Sequence, residues 1–108
     1  MTMYSTADKQ RAYRSVSRRL RALASELGLP RGTYQLRHCY GGIAVPGEAI
    51  LHAPGLYICV PLFVVGGSPT TYFRSCRGLT DYVGGKNHTS RRQIPTAAEI
   101  KSSEVLAK

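Results

Sequence analysis

Apolar residues fall first into a helical rhythm. Between residues 6 and 27, Tyr13, Val16, Leu20, Leu23 and Leu27 recur at spacings of three and four, which places them on one helical stripe. Ser5 or Thr6 can cap the start, Asp8 falls in the first turn, and Gly28 followed by Pro30 ends the helix.

From residue 33 to 76 the rhythm becomes strand-like. "TYQLRHCY" alternates, with Tyr34, Leu36, His38 and Tyr40 on one side and Gln35, Arg37 and Cys39 on the other. Turns or a bulge are expected at Gly41-Gly42 and Pro46-Gly47, around the short apolar piece "IAV". "EAILH" and "LYICVPLFVV" read as two strands joined by the turn "APG". The second is apolar on both faces and so is expected to be central, with Pro61 marking a bulge or an edge. "TTYFRSC" reads as a fourth strand. A short helix is expected over 96–107, with Thr96 and Glu99 forming a capping box and Ile100 and Leu106 as apolar contacts. The stretch 84–95, "GGKNHTSRRQIP", reads as an exposed loop.

These elements predict a single α+β domain covering residues 1–108. A long N-terminal amphipathic helix packs on an antiparallel sheet of about four strands, and a short helix closes the chain.

Charge changes the picture from fold to function. Fifteen Lys and Arg stand against six Asp and Glu, a net charge of +9, and arginine is the commoner cation. Such an excess attracts polyanions, and the guanidinium fork suits phosphate or carboxylate. Arg11, Arg14, Arg18 and Arg21 form a second stripe on the first helix, with Lys9 and Arg19 on its flank. Like charges so spaced destabilise a helix, so the row points to a partner that neutralises it. The alternative is a solvated face whose arginine stems cover apolar surface. A second basic block, residues 74–92, carries Arg74, Arg77, Lys86, Arg91 and Arg92 against Asp81. Tyr72, Phe73 and Tyr82 interleave with its arginines in a manner suited to stacking on unpaired bases. If helix and loop lie on one side of the sheet, the two blocks make one basic surface.

Reactive residues add less. Cys39, Cys59 and Cys76 are an odd, widely spaced set with no CxxC pair, so reduced, mostly buried thiols are expected. Cys76, between Arg74 and Arg77, would be the nucleophile of a cysteine-dependent enzyme with His88 or His52 as base, yet the spacing matches no catalytic motif. Glu48 and His52 share a strand face but stand about 13 Å apart, too far for a dyad. No pair has zinc-site spacing, and "GGKNHTSRR" lacks the Walker spacing while still offering backbone N–H groups and cations to a phosphate chain. No metal or cofactor is expected. "MTMYSTADKQR" lacks the apolar core of a signal peptide, and the longest apolar run is too short to cross a bilayer, so a cytoplasmic protein without a membrane partner is expected.

The expectation is therefore a non-enzymatic binding protein. It would contact nucleic acid or a nucleoprotein complex mainly through phosphates, using Arg11, Arg14, Arg18, Arg21, Arg74, Arg77, Tyr82, Lys86, Arg91 and Arg92. A compact basic chain of this kind suits an accessory protein of a phage or plasmid. An inhibitor docking an acidic face of a host protein is the second reading, and a Cys76-dependent enzyme the third.

Overall fold

The computed structural model describes residues 4–42, 45–63, 71–78, 81–84, 86–103 and 105, with the backbone alone for 77, 78 and 81–84. Helix α1 spans Thr6–Glu26. Ser5 is its N-cap, with the hydroxyl accepting from the Asp8 N–H at 3.1 Å. At the far end the Gly28 N–H donates to Ser25 and the Leu29 N–H to Ala24, with Gly28 at φ 77°. That paired closure is the Schellman arrangement, and it needs the left-handed residue that glycine supplies cheaply.

Strands β1 (Gln35–Cys39), β2 (Glu48–Ala53), β3 (Leu56–Pro61), β4 (Tyr72–Arg74) and β7 (His88–Thr89) form one sheet in the order β1-β2-β3-β4-β7. Every pairing is antiparallel. Strands β5 (Cys76–Gly78) and β6 (Asp81–Gly84) form a separate two-stranded ribbon with an irregular register. Helix α2 spans Ala97–Ser102 and begins with the expected box, Thr96 accepting from the Glu99 N–H while Glu99 accepts from the Thr96 N–H.

The stripe of α1 packs on one face of the sheet. Val16, Leu20, Leu23 and Ala24 meet Ala49, Leu51 and Ala53 of β2, Leu56, Ile58 and Val60 of β3, Phe73 of β4 and Ile100 of α2. Leu20 is fully buried, and its truncation to alanine in such a setting costs about 2–5 kcal/mol. The opposite face carries a smaller cluster, Tyr57, Cys59 and Cys76, bordered by Ile50 and Tyr72. Strand β3 is thus buried on both faces, as its unbroken apolar run implies, and it ends at Pro61 beside Glu48.

The fold is the α+β arrangement expected, with four differences of detail. The sheet has a fifth strand, because His88 and Thr89 pair with Phe73 and Tyr72. The run 70–76 is not one strand: β4 stops at Arg74, and Cys76 opens the ribbon. Residues 84–95 are not simply an exposed loop, since they include β7 and the buried Ser90 and Pro95. The final helix closes at Ser102, where the Ser103 N–H turns back to Ile100, and Leu106 lies outside the described residues.

Candidate nucleic-acid interface

Arg11, Arg14, Arg18 and Arg21 are all exposed along α1. Ten residues separate the first from the last, a rise of about 15 Å along the helix axis. Arg11 pairs with Asp8 in an exposed i,i+3 contact, which contributes little in water. The row does not sit on a bare ridge. Together with Tyr13 and Ser17 it lines a groove of about 650 Å³. A second groove, of about 430 Å³, is lined by Arg21, Arg31, Gly32, Tyr34 and Leu36. Arg21 lines both, so the two grooves adjoin at its side chain and together make a track from α1 to the edge strand β1.

Each groove has one aromatic lining residue, Tyr13 in the first and Tyr34 in the second. Tyr34, Leu36 and Tyr40 pack toward the main core, while His38 meets the edge of Tyr13 at 5.0 Å and stacks on Tyr40 at 4.1 Å. Burial raises the pKa of Tyr13, and the guanidinium of Arg21 opposes that rise.

The other cations divide. Arg19 leaves α1 on the opposite flank and donates to Gln93 Oε1 at 3.0 Å, while Gln93 Nε2 donates to the carbonyl of Pro61 at 2.8 Å. Arg91 and Arg92 are exposed on this segment, beside α2. Arg92 is 3.7 Å from Glu99, whose other oxygen accepts from Ser90. Ser90 also accepts from the Arg92 N–H, so its hydroxyl is committed to the fold and is no part of an open phosphate cradle. Lys86 is exposed next to Asn87.

Arg74 stands across the sheet from α1. Its guanidinium carbon lies 4.6 Å from the Tyr57 ring centroid and 5.6 Å from that of Tyr72, and it donates to Asn87 Oδ1 at 3.0 Å. The sheet therefore separates Arg74 from the helical row, while Arg92 lies beside Glu99 of α2, the helix whose Ile100 joins the core under α1. The side chains of Arg77 and Tyr82 lie outside the described residues.

Lys9 is not a flanking surface cation. It is 2% exposed, and its ammonium donates to the carbonyls of Tyr40 at 2.6 Å and Gly42 at 2.8 Å. The signal was present in the spacing: Lys9 precedes Tyr13 by four residues and Val16 by seven, on the core stripe. Spacing along the chain does not mark Arg31 and Tyr34 as site residues. They reach Arg21 because the chain doubles back after Gly28, a direction no local pattern states.

The cysteines and histidines do not converge on a nucleophile site. Cys76 is buried and its thiol donates to the Ala53 carbonyl at 3.2 Å, whereas His88 stacks on Phe73 on the helix side of the sheet. His52 is fully buried, with Nδ1 accepting from Arg37 at 2.9 Å. Burial, and then the neighbouring Glu48 carboxylate, pushes the Cys59 thiol up to about 12, the reverse of an activated thiolate. Glu48 and His52 occupy opposite ends of β2. Among the described residues no group of three potential ligands could hold a metal ion, and no helix is long and apolar enough to cross a membrane.

No protein-family model matches the chain, and neither a curated protein nor a solved structure matches it significantly.

Proposed function

We propose that this chain is a small basic binding protein that contacts nucleic acid, alone or within a nucleoprotein complex, mainly through backbone phosphates. The observation that carries the reading is the concave track itself. Four exposed arginines on one helix face, joined by Arg31, line it, and Asp8 pairs with the first of them. Guanidinium groups so placed neutralise successive phosphates without reading bases. A helix tolerates such a like-charged row at a cost that a polyanion would remove.

Binding measured against salt tests the reading. Each phosphate neutralised contributes about 0.7–0.9 to the slope of log affinity against log salt, so five arginines give a slope of about −3.5 to −4.5. A flat response, or no binding to DNA or RNA at low salt, overturns it. Capture of an acidic protein that survives nuclease treatment would move the same surface to the second reading, an inhibitor docking a protein face.

A further inference from the structure

Resting on that reading, we infer that the track takes an unpaired strand, DNA or RNA, rather than a duplex. Tyr34 supplies a stacking surface beside the Arg21 and Arg31 cations.

Three observations carry this. The arginines line depressions whose floor is partly aromatic, Tyr13 in one and Tyr34 in the other. A duplex keeps its base faces stacked inside, so a tyrosine in the groove would have nothing to meet; an unpaired strand offers a π-face at every nucleotide. Secondly, α1 is bordered on both flanks. Tyr13 meets His38 of β1 on one side, and Arg19 holds Gln93 on the other. A recognition helix that enters the major groove fills most of its roughly 12 Å width with its own diameter, so neighbours at both flanks limit how deeply α1 could enter. Thirdly, the second depression is lined by Arg31, Gly32, Tyr34 and Leu36 as well as Arg21, so a strand that uses both depressions must leave the face of α1. A flexible single strand can follow that path, whereas a stiff duplex must be bent to do so. Its length suits the small end of the range for single-strand sites, about four nucleotides.

The experiment compares affinities at one fixed salt concentration. The probes are labelled single-stranded DNA and RNA of about twelve nucleotides, the matching duplexes, and inorganic polyphosphate as a polyanion without bases. The expected result is that at least one single strand binds about tenfold or more tighter than its duplex and tighter than polyphosphate. Tyr34→Leu, which keeps apolar bulk against the core, is expected to weaken single-strand binding about fivefold or more and duplex binding by less. Tyr34→Phe retains the ring and is expected to bind as the parent does. A single strand carrying 2-aminopurine gives a readout that needs no variant, because stacking quenches its emission on binding. Duplex binding as tight as single-strand binding, or unchanged 2-aminopurine emission in the complex, overturns the inference and leaves the phosphate-contact reading standing. Absence of binding to every nucleic acid overturns both.

Discussion

Arg74 lies over the ring of Tyr57, directly opposite it in the β3–β4 ladder, on the sheet face turned away from α1. In sequence Arg74 looks like any other member of a basic block. In the fold its guanidinium is held between two tyrosines and Asn87. A desolvated cation–π contact contributes about 2 kcal/mol, and an exposed one about 0.5–1. Arg74→Ala is therefore expected to destabilise the fold by about 1–2 kcal/mol in a denaturant titration. Its effect on nucleic-acid affinity should stay below that of any single substitution in the α1 row, and an equal or larger loss of affinity counts against the division of the cations.

The α1 row should behave in the opposite sense. Arg14→Gln with Arg18→Gln removes two cations and one i,i+4 repulsion. Stability is expected to hold or to rise by about 0.2–0.5 kcal/mol. The salt slope for a single strand should fall by about 0.7 per arginine. A clear loss of stability would mean that the stems serve packing, which is the solvated-face alternative.

Lys9→Met replaces a buried ammonium with an apolar chain of similar length. The carbonyls of Tyr40 and Gly42 then lose their donor. The expected cost is about 1–3 kcal/mol, read as a shifted denaturation midpoint with an unchanged slope. Nucleic-acid binding should be unaffected at temperatures where the variant is folded. A neutral effect on stability counts against these two hydrogen bonds as a net stabilising contact.

Alkaline pH probes the face opposite α1. Burial is the main cause that carries Cys59 from an ordinary value near 9.0 up to about 12, and Tyr72 from 10.0 up to about 12. Below pH 9 both groups are protonated whether the chain is folded or not. Above it the unfolded chain releases protons that the folded protein retains, so stability falls as pH rises from about 9 through about 12. Cys59→Ala should remove the lower part of that fall, as followed by denaturation at stepped pH. Thiol reagent at neutral pH should label the exposed Cys39 and reach Cys59 and Cys76 only on unfolding.

The elements legible in the sequence are those where several local signals agree. Helix α1 carries a stripe, a capping serine and a stop glycine, and each does in the fold what its position implies. The alternation of β1 correctly sorts Leu36 from Arg37. The second helix is announced by its Thr96/Glu99 box. The fifth strand was not legible, because two residues are too short for any period and its pairing with β4 is a long-range event. The ribbon β5–β6 was hidden for a related reason: its register is irregular, so no clean alternation marks it. The arginine row of the candidate site was readable from spacing alone. Its partners Arg31 and Tyr34 depend on where the chain goes after Gly28, and Arg74 is removed from them by which side of a strand it occupies. Charge counting cannot see either.

The burial of Lys9 has a practical side. All five cations lining the track are guanidinium groups, and the one lysine on the same helix is sealed against carbonyls. Of the described lysines, Lys86 and Lys101 alone are open to reagents, and neither lines the track. A fluorophore, a biotin or a bead surface joined through Lys86 or Lys101 therefore leaves untouched the groove it would be used to study.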